Sequence, residues 1–150
     1  MDLQTLADRI EIRDVLTRYC HGIDRGDWEM YRSVFTDDAV IDYTSAGAPC
    51  LPRDEMVDLL SGTFATFPFT HHHITNVEVH LDGDTARVLA DFYNPMQVPG
   101  VTGRSTCGGY YHHDMVRTPA GWRSRKLVEE NVWFVNPPAS VPEHVVVPAS

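Results

Sequence analysis

Ile12, Val15, Leu16, Tyr19 and Ile23 recur at spacings of three and four, which places them on one helical stripe and predicts a first helix over about residues 3–23. Gly26 supplies a left-handed stop, and Asp27 a carboxylate for the free N–H groups of a second helix carrying Trp28, Tyr31, Val34 and Phe35. The period then changes. In FTDDAVIDYTSAG, Ala39, Ile41 and Tyr43 alternate with Val40 and Asp42, which predicts a short strand. Met56, Leu59, Leu60 and Phe64 return to helical spacing and stop at Phe67-Pro68, giving a third helix. Four longer strands are expected over residues 72–81, 85–93, 104–117 and 122–134, divided by the turn-rich segments DGD, NPMQVPGVTG and TPAG.

Helices first and an antiparallel meander afterwards is an α+β order. In it, a curved antiparallel sheet wraps around three helices and leaves a cone-shaped cavity. The tail 136–150, NPPASVPEHVVVPAS, holds four prolines and cannot extend a sheet interior, so it is expected to drape over the surface or reach a neighbouring subunit. With no break in composition over 150 residues, one domain is the expectation.

A hydrophobic share of 43% supports a folded globule, and no apolar run approaches the roughly 20 residues of a membrane helix. The charged, helical N-terminus lacks the pattern of a secretory signal, which makes a cytoplasmic protein the expectation. A net charge of −9 opposes binding to nucleic acid. Cys20, Cys50 and Cys107 are an odd number at wide spacing, which fits reduced thiols better than a disulfide framework or thiolate zinc site.

Chemistry concentrates in three places. Asp24 falls at the end of the first helix, where the helix dipole disfavours a negative charge unless a cation stands beside it. A histidine in that position would have its tautomer fixed and its protonated form stabilised, the minimal arrangement for abstracting a proton. Tyr43 shares the face of Ile41, so its ring points to the core while its hydroxyl requires a partner. The third place is THHHITN, residues 70–76, for which three readings stand: exposed histidines at a strand start, a metal site shared with His112 and His113, or one catalytic histidine with bystanders. No HExxH motif or acidic ligand cluster accompanies them, which weakens the metal reading. Alternation from Val77, Val79 and Leu81 puts His71 and His73 on the apolar face and His72 on the other. A bulge, a pocket on the opposite face or a different register would each resolve this.

The order of RYCHGIDRGDWEMYRSVFTDDAVIDY, HHITNVEVHLDGDTA and GGYYHHDMVRTPAGW resembles the SnoaL-like branch of the NTF2-like superfamily over about residues 5–134. The most specific parts are Y-x4-D at Tyr19 and Asp24, the segment ending at Tyr43, and H-x3-N at His72 and Asn76. The resemblance implies a cone of curved sheet closed by helices around an apolar pocket. It extends to scytalone dehydratase, bile acid 7α-dehydratase and lindane dehydrochlorinase, in which an aspartate orients a histidine base for elimination. By motif position Asp24 matches that aspartate, His72 the histidine, Tyr43 a tyrosine that polarises substrate or leaving group, and Tyr19 a pocket tyrosine. Lys126 is the nearest match to a basic residue on the last strand, with Arg125 one residue away. His71, His73 and Asn131 complete the candidate substrate contacts.

The resemblance thus implies a lyase of dehydratase type that acts on an apolar, oxygenated ring compound without a cofactor or metal, assembled as a homo-oligomer with a trimer favoured over a dimer. Ketosteroid-isomerase-like isomerisation, polyketide cyclisation, and a non-catalytic ligand-binding protein or dioxygenase small subunit are the alternatives.

Overall fold

The computed structural model describes residues 1–149. Helix α1, Leu3–Arg25, starts where the Asp2 carboxylate accepts from the Thr5 N–H at 2.7 Å and stops at Gly26, whose φ of 66° is left-handed. Its buried stripe is the expected one, Ile12, Val15, Leu16, Tyr19 and Ile23. Asp27 caps α2, Trp28–Arg32, through the Met30 N–H at 2.9 Å.

The second helix is shorter than its apolar spacing predicts. Val34 and Phe35 are buried by sheet pairing: the Val34 carbonyl accepts from the Ser124 N–H at 2.8 Å, and Phe35 opens strand β1, Phe35–Asp42. After β1 come β2, Cys50–Pro52; α3, Arg53–Phe64; β3, Phe69–Thr70; β4, His73–Asp82; β5, Thr85–Gln97; β6, Ser105–Thr118; β7, Gly121–Val135; and β8, Val146–Val147.

The sheet runs β2-β1-β7-β6-β5-β3, with β4 also paired to β5 and β8 to β7. The antiparallel meander predicted for the last four long strands is present as β4 to β7. The sheet as a whole is mixed, because β1 and β8 both lie parallel to β7. Alternation reports faces but not direction, and a parallel pair requires a long crossover; the chain between β1 and β7 provides one.

The core fills the concave side, where α1 and α2 meet Tyr111, Met115, Trp122 and Leu127. Asp8 fixes α1 to this wall. Its carboxylate accepts from Arg117 at 2.7 and 2.8 Å and from the Trp122 indole at 3.1 Å, and the guanidinium holds it far below the usual carboxylate range.

One register detail decides which histidine turns inward. His73 and Ile74 pair with Tyr93 and Phe92, but Val77 pairs with Ala90, so Thr75 and Asn76 stand opposite Asp91 alone. This bulge reverses the parity of the strand. Val79 is buried after it, whereas Thr70 and His72 are buried before it and His71 and His73 are exposed.

Gly22 lets α2 lie directly on α1. A Cβ there would stand 2.7 Å from the Tyr31 backbone nitrogen. Gly22→Ala is therefore expected to displace α2 and lower stability by about 1–3 kcal/mol, measured as a shift of the urea midpoint at unchanged slope.

Candidate functional site

The mouth of the cone holds a cavity of about 350 Å³, in the range of small-molecule sites. Its walls are mostly apolar, with Ile23, Leu60, Phe64, Phe67, Met96 and Val98 prominent, and the tail adds Pro138 and Ser140. Into this apolar space project His72, Asn94, Tyr19, Tyr43 and Glu129.

His72 occupies the break between β3 and β4 and is 8% exposed. Asp24, in the last turn of α1, grips it twice: Oδ1 lies 2.6 Å from the ring Nδ1, and Oδ2 accepts the His72 backbone N–H at 2.8 Å. The carboxylate places the ring proton on Nδ1, so Nε2 carries the lone pair. Asn94 Nδ2 donates to that nitrogen at 3.0 Å, and the amide is oriented by Thr70 Oγ1 donating to its oxygen at 3.1 Å. The result is an imidazole with one nitrogen held by a carboxylate and the other turned to the cavity.

The second polar group is a chain of phenols. Tyr43 OH lies 2.7 Å from Tyr19 OH and 2.9 Å from Tyr31 OH. Burial raises all three acidities' pKa values above the ordinary tyrosine value, so all three keep their protons. Three hydroxyls share two hydrogen bonds, which leaves one proton without an acceptor in the chain. Tyr31 does not line the cavity, whereas Tyr19 and Tyr43 do. When Tyr31 donates into the chain, the spare proton falls on Tyr19 or Tyr43, where a carbonyl or enolate oxygen in the cavity can accept a hydrogen bond from it.

Glu129 enters from β7 on the face that also carries buried Leu127 and Asn131. Asn131 Nδ2 donates to its Oε1 at 2.6 Å. Burial pushes the carboxyl up to about 8, against the opposing pull of the Asn131 amide and the Tyr111 hydroxyl, with Asp42 adding a smaller upward push.

The structure brings His72, Tyr43 and Tyr19 to one cavity, with Asp24 held against His72 but outside the lining, and leaves the other candidates outside it. His71 and His73 turn outward by strand parity, their rings 4.5 Å apart, and His73 lies against Tyr93. Lys126 is exposed, on the opposite face of β7 from Glu129, and Arg125 is exposed beside it. Asn131 is buried and holds Glu129 rather than lining the cavity. His112 lies on the surface against Glu130, while His113 is buried against Ser124. Among the described residues, no group of three or more His, Cys, Asp or Glu side chains is placed to hold a metal ion.

The sequence reading did not single out Tyr31, Asn94 or Glu129 as site residues. For Glu129 a signal existed, since alternation from Leu127 puts this carboxyl on a core face. Asn94 and Tyr31 stand in an ordinary strand and helix and carry no comparable mark.

A curled mixed sheet closed by helices, with polar groups set in an apolar cavity, defines the NTF2-like class. Within it, the chain belongs to the SnoaL-like domain family, whose profile matches residues 4–128. Uncharacterized proteins of Mycobacterium tuberculosis and Mycobacterium bovis are each 35% identical over 130 residues, covering 86% of this chain and 88% of theirs. The Kfla4162 protein of Kribbella flavida superposes with a TM-score of 0.80 at 29% identity, over 87% of this chain and 94% of its own. A hexachlorocyclohexane dehydrochlorinase, LinA-type3 of Novosphingobium barchaimii, shares the fold with a TM-score of 0.80 at 22% identity, over 93% and 95% of the two chains. No helix among the described residues is long and apolar enough to cross a membrane.

His113 makes acid stability a direct check on the inner wall. Burial lowers its pKa from 6.5 to about 3, so between these values the unfolded chain binds the extra proton and stability falls as pH falls. Urea titrations at pH 7 and pH 5 are expected to show this loss, and His113→Gln to make it smaller.

Proposed function

We propose that the chain is a small-molecule lyase that removes a proton α to a carbonyl and eliminates a β-hydroxyl from an apolar, oxygenated ring compound. The observation that carries this reading is the Asp24–His72 pair at the cavity, with Nδ1 held by a carboxylate 2.6 Å away. A neutral imidazole so oriented is a base, and the carboxylate stabilises the imidazolium that forms. Substrate displaces the Asn94 amide from Nε2 and presents its C–H there. As the C–H electrons move toward the carbonyl, Tyr19 or Tyr43 donates a hydrogen bond from its spare O–H to the developing enolate oxygen and keeps its proton. The apolar walls favour a hydrocarbon framework and keep water from the anion. The dehydratase and dehydrochlorinase names among structures of the same fold are consistent with elimination.

The test uses cyclic and aromatic β-hydroxy ketones in D2O, followed by NMR. Wild type is expected to exchange the α-proton for deuterium and to lose water. His72→Ala and Asp24→Asn, with circular dichroism unchanged, are expected to slow both by on the order of 10²- to 10⁴-fold. Binding by wild type without exchange would replace the lyase with a carrier. Exchange and double-bond movement without water loss would replace it with an isomerase.

A further inference from the structure

The base and the phenols leave one further ionisable oxygen acid facing the cavity. It is the Glu129 carboxyl. It reaches the cavity from β7, while His72 enters beside β5, and β6 lies between those two strands in the sheet. The two groups therefore address a bound molecule from different walls.

No cation offsets the burial of Glu129. Its side-chain partners are the neutral Asn131 amide and Tyr111 hydroxyl, and Ser45 Oγ steadies this corner by donating to the Glu129 carbonyl at 2.8 Å and accepting the Asn131 N–H at 3.0 Å. The titratable groups that face it are Tyr111 and Cys107 from β6, Tyr19 from α1, Tyr31 from α2 and Asp42 from β1. None of them is a cation, and no ion pair to Glu129 forms among the described residues. A carboxyl buried without a counter-ion keeps its proton. For a packing role alone, a carboxyl is a poor choice beside glutamine or leucine, since its ionised form is so disfavoured in this place.

We propose that Glu129 is the general acid of this site, which delivers its carboxyl proton to the departing β-hydroxyl oxygen while His72 takes the carbon-bound proton. The proposal rests on the base role of His72 given above. The C–H bond breaks, its proton goes to Nε2, and its electron pair becomes the new C=C bond. The C–O pair leaves with oxygen, which takes the Glu129 proton and departs as water. The site is left with an imidazolium and a carboxylate, and transfer of one proton from His72 to Glu129 through the water released restores both without an oxidant, reductant or co-reactant. The phenols supply the enolate's hydrogen bond, so the acid is free for the leaving group.

Two measurements test this. The first requires no substrate: 13C NMR of protein labelled at the glutamate carboxyl carbons, with Glu129 assigned by difference against Glu129→Gln and Glu129→Asp. A Glu129 signal that is protonated at pH 7 and titrates near 8 is expected; an ionised carboxyl at pH 7 overturns the proposal. The second compares β-hydroxy with β-chloro ketones of the same ring framework, since chloride leaves without protonation. Glu129→Gln is expected to lose hydroxide elimination by about 10²- to 10⁴-fold while chloride elimination and α-deuterium exchange fall by less than about tenfold. Equal losses for both leaving groups, or none for either, overturn the acid role while the exchange remains dependent on His72. Exchange that survives His72→Ala removes the base reading instead, whatever Glu129→Gln does.

Discussion

The double contact between Asp24 and His72 is the constraint around which this molecule is arranged. It joins residues 48 apart in sequence, a helix end and a strand break, through one carboxylate that binds both a ring N–H and a backbone N–H. Hydrogen bonds to a charged acceptor contribute roughly 1.5–3 kcal/mol each. They also remove the one objection to an aspartate at a helix C-terminus, because the partner ring can become the cation that the dipole favours there. Helix length, the stop at Gly26 and the Thr75–Asn76 bulge each serve to bring these two side chains together.

The rest of the interior follows from keeping protic groups dry. Tyr19, Tyr31, Tyr43 and Tyr111 are almost fully buried, and their rings supply apolar area while the hydroxyls of the first three satisfy one another. Polar atoms therefore stand at the cavity in positions fixed by their own hydrogen bonds, which is the condition under which a hydrogen bond has its largest effect on a developing charge. Gly22 matters in this light, since its missing side chain allows Tyr31 to approach and complete the chain.

Periodicity alone placed α1 and α3 and the four long strands to within a few residues, because each buries one face and has a clear turn at its end. It overran α2, where Val34 and Phe35 keep helical spacing but are buried against β7. It was silent on strand direction, hence on the parallel pairing of β1 with β7. At the site, the helix-end carboxylate and the phenol on a core face carried their own physical signals. The choice among His71, His72 and His73 did not, because a one-residue bulge downstream inverts which of them faces inward and leaves no trace in the pattern. Asn94 is legible only through its partners, Thr70 and His72, since an asparagine in a strand has no preferred meaning until its neighbours are known.

The position of β7 in the sheet has a consequence for the order in which the molecule comes into being. It is the last long strand of the chain, yet it lies between β1 and β6. During synthesis β1 has only β2 beside it until a strand about ninety residues further on arrives, and Glu129 is itself part of that late arrival. Until then the meander has an open edge and the cavity lacks a wall, and Pro138 and Ser140 of the tail follow later still, so the site closes late in assembly. A chain truncated within β7 would lose the seam that joins its two halves, whereas one truncated within the tail would keep it.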